Sequence, residues 1–350
     1  MARKILVLGA SYGSLLGTKL LMAGHDVTLV CRKATADLIN SEGTEVRIKL
    51  RDEDEPRAFR SAEQPGTLDA VTPADADPAA YDLVALAMSE PQYGTDEIMR
   101  LMKRIADARV PCLSIMNMPP LPYLARIPGL DASKLERAFN CPEVWSAFEP
   151  GLVTLCSPDP QAFRLPETGQ NTLHVGLPTN FKAAPFENPE HTAMLRELEA
   201  DIAALEIDGK DIPVKLRVYD SLFVPFAKWA MLLTGNYRCI LPDGAQSIRD
   251  AVHGDVKTSE QIYKQIGQIV VSLGADEEDQ VPFLKYAKAA QGLLKPSSAA
   301  RAIEGGSAEI ERVDLLVKLI ADQLGVAIPA VERTAETVSQ RLAQNKRAAA

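Results

Sequence analysis

The sequence is poor in the residues that build stapled or metal-centred folds. Its five cysteines, Cys31, Cys112, Cys141, Cys156 and Cys239, are odd in number and include no C-x-x-C pair. Free thiols are therefore expected, rather than a disulfide framework or a zinc site. The four histidines, His25, His174, His191 and His253, show no metal-ligand spacing. No apolar run reaches the roughly 18 residues that span a bilayer. The short run at residues 5–8, behind Met-Ala-Arg-Lys, leads straight into a glycine turn, so it reads as a strand and not as a signal peptide. A cytoplasmic protein without a membrane partner is expected. A dense lysine–arginine block is also missing, and the formal net charge is -9. Nucleic acid is thus not an expected partner, although an anionic small molecule needs only one local basic patch.

What is present is ordinary for a soluble globular chain: 46% hydrophobic and 24% charged residues. A length of 350 residues suits two domains better than one core. Residues 5–8 form a continuous apolar run, as in a strand buried on both faces of a parallel sheet. Gly9-Ala10-Ser11-Tyr12-Gly13 interrupts it. Leu15, Leu16, Leu20 and Leu21 follow at helical spacing, Gly24 closes the helix, and residues 27–30 make a second strand. Further strands are expected at 45–50, 82–88 and 110–116, and helices at 34–40 and 93–106. Residues 52–78 are rich in charge and proline and read as a surface excursion. Strands at 152–156 and 172–176 are expected to close the first domain. From residue 190 onward the pattern is helical, with segments at 192–205, 220–233, 259–273, 282–294, 309–324 and 330–343, and a frayed tail at 346–350. Three prolines between residues 178 and 189 mark the boundary. The expected fold is thus α/β: an N-terminal Rossmann-type, doubly wound parallel sheet (1–186), then an all-helical C-terminal domain (187–345).

A small-residue turn between a first strand and a helix is a phosphate site in principle. The backbone can approach a pyrophosphate there, and the helix start supplies N–H donors and a positive dipole. Gly9, Ser11, Tyr12 and Gly13 are the candidate cofactor contacts. The turn departs from G-x-G-x-x-G: Ser11 replaces the second glycine and Gly13 comes one residue early. G-x-S-x-G also matches a hydrolase nucleophile elbow, but such an elbow does not follow the first strand and no acid–His order accompanies it. After the second strand comes Cys31-Arg32-Lys33, where an NAD site would carry a carboxylate. A guanidinium at Arg32 can pair with a 2′-phosphate, so NADP(H) is the expected cofactor, the alternative being that both cations are solvated loop charges.

These motifs resemble the ketopantoate reductase (2-dehydropantoate 2-reductase) family. The likeness is carried by Gly13-Ser14-Leu15-Leu16-Gly17, by Ala23-Gly24-His25-Asp26-Val27-Thr28-Leu29-Val30 with Arg32, by Lys295-Pro296-Ser297-Ser298, by Glu309-Ile310-Glu311, and by Leu324-Gly325-Val326 with Pro329. The resemblance implies NADPH-dependent reduction of a 2-keto acid. It assigns a catalytic lysine to Lys228, with Asp220 eight positions and Phe226 two positions before it, and a catalytic asparagine to Asn236. An offset of eight returns towards one helical face. A rival register puts Met231 in the lysine's place. Ser297 and Glu309 match a substrate-holding pair, Glu309 also lying at the cofactor, and Asn117 matches a strand-end asparagine near substrate and nicotinamide. Two positions depart from the family, Leu232 for a second asparagine and Ser89 for a second lysine, and the glycine after Asn117 is lost. Relatives of this architecture often associate through the helical domain, so a homodimer is expected.

The implied chemistry is hydride transfer to a carbonyl, with Lys228 as general acid and neighbour to the developing alkoxide. Each residue also has a plain structural role open to it. Lys228 can be a surface lysine, Ser297 a helix cap, Asn236 a helix end, and Glu309 a first-turn carboxylate behind Ser307. Trp145 and Trp229 are expected in a core or an interface rather than stacked on a cofactor. Two other functions compete: an opine-type reductive amination dehydrogenase, for which a His–Asp pair is lacking, and a non-catalytic NADPH-binding regulatory protein.

Overall fold

The structure, a computed structural model, describes residues 2–349. The chain folds into two compact units. The first holds residues up to Met88, Gln92–Tyr123 and Glu143–Asp220; the second holds Ser89–Pro91, Leu124–Pro142 and the residues from Ser221 on.

The first unit opens with β1 (Lys4–Leu8), α1 (Tyr12–Met22), β2 (Asp26–Val30) and α2 (Lys33–Glu42). Beyond Lys4, β1 shows no apolar–polar alternation because it is buried on both faces. Gly24, at φ +84°, ends α1. The amides of Gly24 and His25 return to the carbonyls of Leu21 and Leu20, each at 3.0 Å, which satisfies two carbonyls the helix leaves open. Next come β3 (Glu45–Ile48), β4 (Arg57–Arg60), β5 (Leu68–Val71), β6 (Leu83–Leu86), α3 (Asp96–Ala108), β7 (Cys112–Ile115) and α4 (Leu121–Leu124). The unit finishes with β8 (Val153–Ser157), β9 (Gln161–Phe163), β10 (Thr172–Leu177), β11 (Phe181–Ala183), α5 (Pro189–Ala203), β12 (Glu206–Ile207), β13 (Lys210–Asp211) and β14 (Leu216–Val218).

An eight-stranded sheet runs β14-β11-β8-β7-β6-β1-β2-β5. From β5 to β8 every pair is parallel, the order of a doubly wound nucleotide fold. The β11–β8 pair is antiparallel and β11–β14 parallel. Helix α1 is buried nearly all round, and Gly13 and Gly17 let it lie close on the sheet. A Cβ at Gly13 would stand 2.6 Å from Cγ1 of Val7, and one at Gly17 3.3 Å from Cγ1 of Val27.

Three expectations change here. The 52–78 stretch is not merely a surface excursion: it supplies β5, the outer strand of the parallel sheet, and β4. Strand β3 leaves that sheet and joins β4, β10 and β9 in a separate four-stranded one. Residues 187–220 pack with the first unit, past the proline-rich stretch, because Met194, Leu195, Leu198 and Ile202 of α5 and Leu216 and Val218 of β14 belong to its apolar core.

The second unit is helix-rich. It contains a short α6 (Ala227–Met231) continued by a π-helical segment (Leu232–Asn236), then β15 (Ile240–Leu241) and β16 (Gly244–Ala245). Helices α7 (Ile248–His253), α8 (Val256–Ser272), α9 (Phe283–Ala290), α10 (Ser298–Glu304), α11 (Val313–Gln323) and α12 (Pro329–Ala349) follow. The small β15–β16 hairpin is the one departure from an all-helical domain among its described residues. The expected frayed tail is instead helical to Ala349. Trp229 is buried and stacked on Phe226 at 4.1 Å between ring centroids, and Trp145 is buried in the first unit, so both tryptophans are core residues. All five cysteines are free and buried.

Candidate functional site

One group of candidate residues lies in the first unit, at the carboxyl edge of the parallel sheet. Strands β7, β6, β1 and β2 are neighbours and run the same way, so the residues following them gather on one edge. These are Asn117 after β7, Gly9 to Gly13 after β1, and Arg32 after β2. Chain order reverses between β6 and β2 on either side of β1, which opens the crevice in which such sheets bind ligands. Gly9 sits at φ +102°, and a Cβ there would stand 2.6 Å from the Ala87 carbonyl oxygen leaving β6. Ala10 and Ser11 are small and only partly buried. Helix α1 begins at Tyr12 without a side-chain cap, and its first amides have no partner within the helix. Ser14 turns its hydroxyl to the Ala10 carbonyl at 2.6 Å. This edge fits a dinucleotide: backbone donors, a helix start and small residues lie beside the end of β2.

The two cations after β2 differ. Lys33 is engaged by Asp37 one helical turn on, at 2.9 Å, and both are exposed. Arg32 is exposed at the start of α2, and among the described residues no carboxylate pairs with it. Asn117 is partly exposed in a bend two residues beyond β7. No sequence motif marks Arg164, which follows β9. Its Nη2 donates to the Ala10 carbonyl at 2.6 Å, across 154 residues of sequence. Burial pushes the Cys31 thiol up to about 11, the Arg164 guanidinium acting in the opposite sense.

A separate group of candidate residues is built in the second unit. Between Ala227 and Tyr237 only Lys228, Met231 and Asn236 escape full burial. In an ideal α-helix eight residues overshoot two turns by about 80°. The wider i→i+5 winding of the π segment shrinks that overshoot, which turns Lys228 and Asn236 more nearly to one side of it. Tyr286 supports the distortion by donating its hydroxyl to the Met231 carbonyl at 3.0 Å. Gly235 makes the approach possible, since a Cβ there would stand 2.0 Å from the Tyr286 hydroxyl oxygen. Leu232, where the family carries an asparagine, is buried.

Ser297 is brought to Asn236, though through its backbone. The buried Ser297 hydroxyl donates to the Asn236 carbonyl at 2.7 Å and accepts from the Ala300 amide at 3.1 Å, capping α10. It holds the end of the π segment in place. Glu309 is exposed in the loop before α11, which starts at Val313, so it is not a first-turn residue. Ser307 does not cap that helix; its hydroxyl donates to the Glu309 carbonyl at 2.7 Å. Two residues on, the Glu311 carbonyl accepts the hydroxyl of Tyr237, which in turn accepts the Val313 amide at 3.2 Å. The loop is thereby tied beside Asn236. Ser89 belongs to this unit. Its neighbour Glu90 is fully buried and accepts from the Asn140 and Cys141 amides at 2.9 and 3.0 Å. Asp220 ends the first unit, paired with Arg196 at 2.6 Å. No cluster of metal-ligating side chains occurs among the described residues.

Residues 5–118 match the family model described as Ketopantoate reductase PanE/ApbA. No curated protein matches the sequence. Solved structures share the fold over nearly the whole chain. A candidate ketopantoate reductase from Ralstonia solanacearum MolK2 has 17% identity, covers 99% of each chain and superposes with a TM-score of 0.71. A 2-dehydropantoate 2-reductase from Methylococcus capsulatus has 16% identity, coverage of 98% of this chain and 97% of that one, and a TM-score of 0.65. A D-mandelate dehydrogenase, solved with NADH and anilino(oxo)acetate, has 14% identity, coverage of 98% and 99%, and a TM-score of 0.65.

Proposed function

We propose that the protein is an oxidoreductase of the ketopantoate reductase superfamily that reduces a small 2-keto acid with NADPH. The observation that carries this reading is that Lys228 and Asn236 keep partial exposure in an otherwise buried segment, in a chain whose other unit presents a dinucleotide-type sheet edge. The nicotinamide cofactor, when bound, supplies the hydride. Gly9, Ser11, Tyr12 and Gly13 admit the pyrophosphate to the start of α1, and Asn117 lies at the nicotinamide end of the same edge. Arg32, free of a carboxylate partner, binds the 2′-phosphate.

In the second unit Lys228 donates a proton to the oxygen that becomes the alcohol and stabilises its developing charge. Asn236 orients the carbonyl or the lysine. Glu309 accepts from a second polar group of the substrate, and Ser297 holds Asn236 in place through its backbone as well as lying in the substrate pair. Lys228 is preferred to Met231 because only the lysine can deliver a proton. A homodimer formed through the helix-rich unit, where Leu284 and Leu294 are exposed, belongs to the same reading.

Titration with NADPH and with NADH, followed by addition of ketopantoate, tests it. Tight NADPH binding and ketopantoate-dependent oxidation that Lys228→Ala abolishes is the expected result. Oxidation by other 2-keto acids alone would move the substrate and keep the chemistry. Turnover only with an added amine would favour the opine-type reaction. Binding without turnover across a panel of keto and imino acids would make the protein a cofactor-binding regulator. Binding of neither cofactor would overturn the proposal.

A further inference from the structure

Resting on that reading, we propose that Arg164 is a specificity-determining residue of the cofactor site, closing over the 2′-phosphate of NADPH opposite Arg32. The residue arrives from far along the chain. It follows β9, whose last residue, Phe163, stacks on His174 of β10 at 5.8 Å between ring centroids, and this fixes the backbone before it. From there its Nη2 reaches the Ala10 carbonyl of the glycine turn at 2.6 Å, and its charge faces Cys31, the residue immediately before Arg32.

Arg164 is therefore braced on the turn after β1, near enough to the end of β2 for its charge to act on Cys31. A doubly wound sheet holds the adenosine ribose between those two segments. One acceptor, Ala10, occupies one arm of a guanidinium that carries five N–H donors, leaving others for a ligand. No carboxylate pairs with Arg164 or with Arg32 among the described residues, although the chain carries a net charge of -9. Two uncompensated guanidiniums beside one sheet edge are a site for a doubly charged anion, which each can grip in bidentate fashion.

The test is the affinity for NADPH and NADH, read by cofactor fluorescence, in the wild type and in Arg164→Ala, Arg164→Gln and Arg32→Ala. Arg164→Gln keeps an N–H donor for Ala10 and loses the charge. Thermal denaturation without cofactor checks that each variant is folded. Both Arg164 variants are expected to weaken NADPH binding by about 10- to 100-fold, as for loss of a charge-assisted contact, with NADH affinity changed by less than about threefold. Added salt should weaken NADPH binding less steeply in the variants than in the wild type. An equal loss for both cofactors, or loss in Arg164→Ala that Arg164→Gln restores, would make Arg164 only a brace and overturn the proposal. Unchanged NADPH affinity would overturn it too, with the dinucleotide site intact. Wild-type protein that binds neither cofactor would instead remove the reading on which it rests.

Discussion

Gly235→Ala probes the packing that shapes the π segment between Lys228 and Asn236. The added methyl would stand 2.0 Å from the Tyr286 hydroxyl oxygen, 3.0 Å from Ile248 Cγ2 and 3.3 Å from Val252 Cγ2. Tyr286 is buried and its hydroxyl is the partner of the Met231 carbonyl, so it cannot swing into solvent. Overpacking of this kind costs about 1–3 kcal/mol. Displacing the hydroxyl strands a buried carbonyl, a further ~1–3 kcal/mol. The better helix propensity of alanine returns about 1 kcal/mol. A net loss of about 2–4 kcal/mol is expected, read from urea denaturation of the full chain. The loss should shrink by at least about 1 kcal/mol in a Tyr286→Phe background, because the two positions share one contact. Turnover should fall while NADPH affinity holds, since the nucleotide edge belongs to the other unit. A variant as stable as the wild type, or a cost unchanged in the Tyr286→Phe background, would refute the packing account.

Lys228→Ala is expected to lower kcat by about 10²- to 10⁴-fold, as for loss of a general acid, with NADPH affinity within a few-fold of wild type; steady-state kinetics and cofactor titration check it together. Lys19, buried on α1, donates to the Ile212 and Pro213 carbonyls at 3.4 and 3.1 Å, and burial still lowers its pKa from 10.5 to about 7. The unfolded chain then binds the extra proton between those values, so this residue makes stability rise with pH there, by at most about 1.4 kcal/mol per pH unit. Urea midpoints of Lys19→Met measured at pH 7 and pH 10 should lack that rise; an identical pH slope in wild type and variant would contradict it. Arg312 pairs with the fully buried Asp314 at 2.9 Å and also donates to the Ala335 carbonyl and the Ser339 hydroxyl. Arg312→Leu should cost about 3–5 kcal/mol by leaving that carboxylate unpaired, and Asp314→Leu in the same chain should recover part of the loss; urea denaturation of the single and double variants checks both.

Local pattern carried much of the architecture. Residues 5–30 could be read directly as strand, helix and strand because burial on both faces leaves a continuous apolar run, and because Gly24 provides the positive φ that a helix end requires. The long helices α5, α8, α11 and α12 were legible for a similar reason: each has one face turned to a core. The short helices α7 and α10 were not, since six or seven residues give too little period to read. Strand β5 was hidden in a charged stretch because an edge strand with one inward residue, Ala70, shows no apolar run.

At the candidate site the division is similar. The sequence by itself determined the small-residue turn and Arg32 after β2, since turn chemistry acts over a few residues, whereas Lys228 and Asn236 were singled out by the family resemblance. Only the tertiary structure decided that a π segment separates those two residues, that Tyr286 and Gly235 pack against it, and that Arg164 meets Ala10 from 154 residues away. Those contacts arise from packing between elements distant along the chain. No local period encodes a distant contact, so they exist only once the core has closed.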